Sequence, residues 1–136
     1  MTTAEGVSLS GGRGALEQLA LRQTVLAERS GQFLGERRPT IEPTTLQNLM
    51  IRLGRAMDGM HGGEWEAMRE VGRWASGEKL AFEVLTEATH VYKRAALPWL
   101  VRAYPGVEGF VDGFLGLDEL LSAALACLAE GYFGPD

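Results

Sequence analysis

The sequence predicts an all-α fold of five or six helices in one domain. Three observations carry this reading. Apolar residues recur at three- and four-residue steps through most of the chain, the spacing of one helix face. No alternating strand pattern of useful length appears, and no repeat of fixed period is evident. The chain has 136 residues, 46% of them hydrophobic and 23% charged. That length suits a single domain burying roughly two-thirds of the surface its unfolded form exposes, and the composition disfavours wholesale disorder.

Residues 1–14, MTTAEGVSLSGGRG, are rich in Gly, Ser and Thr and read as a flexible N-terminal arm. Gly11, Gly12 and Gly14 do not make a phosphate loop, because no strand precedes them and the completing Lys and Ser/Thr are missing. Residues 15–136 form the single helical domain. Its first helix starts at Ala15 and carries Leu16, Leu19, Ala20, Gln23, Leu26, Ala27 and Ser30 toward Phe33 and Leu34, with Gly31 weakening its end. The run GERRPTIEP ends it, and Thr44 or Thr45 is placed to cap a second helix striped by Leu46, Leu49, Met50, Leu53, Met57 and Met60. Gly62 and Gly63 close that helix. A third, from near Glu64, sets Trp65, Met68, Val71, Gly72 and Ala75 on one side and stops at Gly77, read as a left-handed C-terminal residue.

The longest helix runs from Lys79 to Tyr104, with Ala81, Val84, Leu85, Ala88, Val91, Tyr92, Ala95 and Trp99 facing inward. Pro98 should kink it, since proline removes a backbone donor and crowds the preceding turn. After Pro105 and Gly106, the last stretch holds Phe110, Val111, Phe114 and Leu115, then Leu117, Leu120, Leu121, Ala124, Leu128 and Tyr132, as one bent helix or two.

A net charge of −5 argues against non-specific nucleic-acid binding, which needs a field of Lys and Arg. No Lys or Arg follows Arg102, whereas Glu108, Asp112, Asp118, Glu119, Glu130 and Asp136 do. This reads as a solvated acidic face in preference to a dock for a basic partner. Cys127 is the sole cysteine, so an intrachain disulfide is impossible, and its apolar neighbours suggest a packed thiol. With no leader pattern and no apolar run long enough for a bilayer, the expectation is a soluble cytoplasmic protein with no membrane partner.

Two histidines invite a search for chemistry. Glu87-Ala88-Thr89-His90 has the Glu-x-x-His spacing that di-iron bundles use in pairs, but it occurs once. Asp58-Gly59-Met60-His61 echoes it loosely among glycines. Glu83, Glu87, His90 and Arg94 project as one polar stripe opposite the core face, so a solvated stripe with local ion pairs is the better reading. Haem would need a histidine aimed into an apolar pocket, and neither is. An exposed His90 with Lys93 or Arg94 nearby has the access that histidine phosphotransfer needs, although Val91 stands where an acid is usual. No nucleophile elbow is present and Cys127 has no evident base. The expectation is therefore no enzyme activity and no cofactor. Met50, Met57, Met60 and Met68, together with Trp65, Trp74 and Trp99, form the candidate lining of a small apolar ligand pocket, because methionine is soft and adaptable.

Gly72-Arg73-Trp74-Ala75-Ser76-Gly77, then Leu80, Val84, Leu85 and a helix through Tyr92, Arg94 and Leu97, resembles the N-terminal sensor domains of stressosome RsbR-type proteins. Related helical domains precede some bacterial histidine kinases and helix-turn-helix regulators. The resemblance spans Thr44 to Tyr132. It implies a globin-like bundle without haem, usually dimeric, passing a signal to an output domain, with Leu117–Tyr132 as the helix leading there. Two features depart from the pattern: the chain ends at Gly134-Pro135-Asp136 without an output module, as a fragment or stand-alone partner would, and Pro98 interrupts the long helix. The functional expectation is a non-enzymatic sensor or regulatory domain, with a small metal-binding or phosphotransfer bundle centred on His90 as the alternative. Surplus apolar residues on the first and last helices, Leu21 and Val25 with Leu121 and Leu125, are expected to form a homodimer interface.

Overall fold

The computed structural model describes residues 21–104 and 106–134. Five helices and no strand occur among them: α1 (Gln23–Arg37), α2 (Pro43–His61), α3 (Glu66–Gly77), α4 (Phe82–Ala103) and α5 (Val107–Phe133). The expected N-terminal arm and the first turns of the expected first helix, residues 1–20, lie outside the described residues.

Helix boundaries follow backbone chemistry more closely than side-chain caps. Pro43 opens α2 at its first position, where a fixed φ suits the helix and a missing N–H leaves no bond unmade. Glu42 therefore takes the flanking position expected of a threonine, and Thr44 and Thr45 lie inside the first turn. At the other end Gly63 adopts φ 91°, its N–H donates to Met60 at 2.9 Å, and that of Glu64 donates to Gly59 at 2.7 Å. This paired closure spares two carbonyls that the helix end would otherwise strand.

The end of α3 has the same design with a different residue. The left-handed position is Lys79 (φ 63°) and not Gly77, which stays helical. Lys79 donates to Ser76 and Leu80 to Ala75, both at 3.0 Å. The two-residue extension brings Leu80 into the core at 6% exposure. Because a side chain at positive φ costs about 1–2 kcal/mol and glycine's freedom gives part of that back, Lys79→Gly should stabilise the fold by about 0.5–1 kcal/mol in urea unfolding. A loss of stability would show that the Lys79 side chain outweighs its backbone strain.

Neither glycine nor proline interrupts the long elements. Gly31 lies inside α1, α4 runs through Pro98 to Ala103, and α5 is one helix of 27 residues despite Gly109, Gly113 and Gly116. The inward stripes meet in one core, where Leu26, Leu49, Met50, Met68, Leu85 and Leu128 are wholly buried. Each helix packs chiefly on two others, and the order round the ring is α1, α2, α3, α5, α4.

Three seams of that ring differ in how their helices meet. Along α1 and α2 the glycines are reciprocal: the Gln47 amide lies on Gly31, and the Gln23 amide lies on Gly54. Helices α1 and α4 run antiparallel, from Arg38 Nε donating to Glu87 at 2.6 Å, through Arg94 stacked 4.1 Å from the Phe33 ring, to Arg22 at 4.5 Å over Trp99. At the crossing of α3 and α5, Gly72 and Gly131 let the two backbones touch, and any Cβ there would meet main-chain atoms of the facing helix.

Candidate functional site

His90 is exposed on α4, in a shallow groove against α5 whose polar edge is Lys93 bonded to Asp118 at 2.8 Å. Its expected companion Glu87 turns the other way. The Arg38 guanidinium, with Arg37 at 3.5 Å, holds the Glu87 carboxyl below its usual range, against the opposing pull of partial burial. Of the expected solvated stripe, Glu83, His90 and Arg94 are exposed and Glu87 is half-buried; Glu87 and Arg94 also reach across to Arg38 and to Phe33 of α1. Periodicity alone cannot show this, since the facing helix lies about fifty positions away in the chain. No group of three or more His, Cys, Asp or Glu among the described residues is arranged to hold a metal ion. Cys127 is 5% exposed, and burial pushes its thiol up.

The four methionines expected to line a ligand pocket sit in the sealed core, with Met50 and Met68 at 0% exposure and Met57 and Met60 at 3%. Of the tryptophans, Trp74 and Trp99 pack against the edge of that core and Trp65 is exposed. Trp65 is 41% exposed ahead of α3, Trp74 lies under Arg52, and Trp99 is flanked by both Arg22 and Arg102. None of these seven residues lines the groove beside His90.

Of the expected dimer residues, Leu21 (78% exposed) and Val25 (43%) stand outside α1. Leu121 belongs to the core at 5% exposure, and Leu125 is half-buried against it. Apart from Phe133 at its end (66% exposed), the large exposed apolar residues of α5 lie in its first half. Val107, Val111 and Leu115 repeat at four-residue intervals and are joined by Val101 from the end of α4, which shares a small groove with Val107 and Phe110.

A roomier concavity is one that sequence reasoning missed. Between α1 and α2 lies a groove of about 580 Å³, within the range of small-molecule sites. Gln23, Thr24, Glu28 and Gln32 line it from α1, and Gln47, Ile51 and Arg55 from α2, with none of the expected methionines or tryptophans among them. The available signal was the pairing of Gly31 and Gly54 with glutamines on the facing helix, a relation invisible until the two helices are set side by side. At the inner end Gln23 Nε2 donates to the Tyr92 hydroxyl at 2.9 Å, with Asp58 Oδ1 at 3.4 Å. Desolvation raises the Asp58 carboxyl, partly countered by Gln23 and His61. Comparison with family models, curated proteins and solved structures returns no match to this chain.

Proposed function

We propose that this chain is a non-enzymatic signal-input domain of a bacterial signalling protein. In this reading it acts in the cytoplasm as a homodimer and hands its state to an output partner, as its resemblance to stressosome-type sensor domains implies. The observation that supports the reading is the apolar strip at one end of the bundle: Val101, Val107, Val111 and Leu115 are 56%, 80%, 43% and 51% exposed. Contiguous apolar surface of this kind on a soluble bundle marks a contact site.

A second copy is the occupant that the charges favour. Arg102 stands near the Val101 and Val107 end of the strip, and Glu119 lies beyond Leu115 at the other. A two-fold axis across the strip would bring each cation toward the other copy's acid, with apolar residues meeting in the middle. Leu21 and Val25 offer further apolar surface on α1. Helix α5, whose second half is packed in the core, would then carry a change at the contact into the bundle.

Sedimentation at micromolar concentration tests the proposal. The wild type should be a dimer, and Val107→Glu/Val111→Glu should be a monomer of unchanged helicity, because both side chains are exposed. A wild-type monomer, or a double variant that stays dimeric, would overturn it.

A further inference from the structure

We infer that the groove between α1 and α2 is a binding site for a short zwitterionic peptide of two or three residues. Its chemistry is mixed in an informative way. Glu28 and Arg55 line the same groove, yet the ion pairs of the described residues include neither of them. Here each is left with its hydrogen-bonding capacity open, one for an ammonium and one for a carboxylate. Arg55 suits the carboxylate in particular, since its planar fork can donate two parallel bonds.

The wall between the charges matches a peptide backbone. Gln23 and Gln47 each present a carboxamide, the side-chain group closest in donor and acceptor pattern to a peptide bond. Both are held in place because Gly54 and Gly31 leave room for them against the opposite helix. The Gln23 amide is itself committed, its nitrogen donating to Tyr92 and its oxygen buried against Gly54, so it fixes the floor of the groove and Gln47 supplies the carboxamide open to a ligand. Ala27 and Ile51 add an apolar edge for small side chains. The volume, about 580 Å³, takes more than a single amino acid and falls within the range of small-ligand sites.

The site is separate from the apolar strip on α4 and α5. The inference uses the regulatory reading only to give binding a purpose, so a failed dimer test leaves the binding result readable.

Calorimetric titration with L-Ala-L-Ala-L-Ala, its N-acetylated form and its C-terminal amide tests the inference directly. Free trialanine should bind, and losing either terminal charge should weaken it by about tenfold, the usual scale for a charge-assisted contact. The variants should reproduce that selectivity. Arg55→Gln should bind free trialanine and the amide equally, and Glu28→Gln should do so for free trialanine and the acetylated form. Both residues are exposed, so circular dichroism and melting should match the wild type. Absence of binding at about 10 mM, far above the millimolar affinity expected of a weak small ligand, would overturn the inference. So would binding that ignores both variants.

Discussion

Replacing Gly131 with alanine should destabilise the fold by about 3 kcal/mol, the upper part of the range for overpacking a tight core. At this chain length that lowers the melting temperature by about 10 °C. The new methyl would overlap the Arg69 carbonyl oxygen and stand 2.8 Å from its carbonyl carbon. Gly72→Ala meets the same obstacle from the other side, since its methyl would overlap the Leu128 carbonyl oxygen and lie 2.9 Å from the Tyr132 nitrogen. Rotamer changes cannot relieve either contact, because both partners are main chain. Helices α3 and α5 would have to separate, opening the core around Met68 and Leu128. Gly35→Ala and Gly77→Ala are the matched controls. Nothing lies within 4 Å of a Cβ at either position, so each should gain about 0.5–1 kcal/mol from helix propensity. Urea unfolding of the four variants gives the comparison. A Gly131→Ala protein as stable as its Gly35→Ala counterpart would mean that the two helices do not touch through backbone.

Raising the pH past 10 should weaken the fold through Tyr92. Its side chain is 1% exposed, and burial, with a smaller push from the Asp58 charge and against the Gln23 hydrogen bond, raises the phenol to about 12. A phenol in the unfolded chain ionises near 10. The folded state therefore holds its proton while the unfolded state releases it, and stability falls as pH climbs between the two values. The contribution is intact below about pH 10, falls by about 1.4 kcal/mol at pH 11, and is lost to the extent of about 2–3 kcal/mol once the folded phenol also ionises. Other groups titrate in this range, so the measured quantity is the difference from Tyr92→Phe. That variant should lose about 1 kcal/mol at neutral pH with the hydrogen bond and then show the shallower alkaline slope. Parallel slopes for the two proteins would remove Tyr92 as the cause.

What the sequence disclosed depended on how local its cause was. The inward face of α4 was legible from spacing, and Val84, Leu85, Ala88, Val91, Tyr92 and Ala95 are all buried. His90 was placed outside for the same reason, and it is exposed. The all-α bundle follows from such stripes in each segment. Spacing failed where a partner from elsewhere decides. Trp99 is only half-buried where core was expected, and Arg22, just ahead of α1, and Arg102 of α4 stack on its ring. Glycines were read unevenly: Gly62 and Gly63 close a helix as expected, others do not. Gly77 was expected to stop a helix and Gly31 to weaken the end of one, yet both lie within helices, and the strained turn fell to Lys79. A glycine that admits a neighbouring chain and one that ends a helix are the same letter. The α1/α2 groove was hidden for a related reason, since Glu28 and Arg55 are ordinary surface charges until antiparallel packing places them in one concavity.

The ring order of the helices also sets a sequence of events for the chain as it folds. Helices α1 and α2 are joined by a short turn and can pair as soon as both exist. The seams of α1 with α4 and of α3 with α5 are different: the Arg38–Glu87 and Gln23–Tyr92 bonds of the first span 49 and 69 residues, and the Arg69–Glu130 bond of the second spans 61. Contacts that distant close large loops, and their entropy is lost before the contact contributes anything. The bundle should thus start from pairs of neighbouring helices, such as the α1/α2 hairpin and the α4/α5 pair, with the α1/α4 and α3/α5 seams sealing later. Reversal of the first of these closures would part α1 from α4 and release Gln23, the residue that ties the floor of the α1/α2 groove to the core.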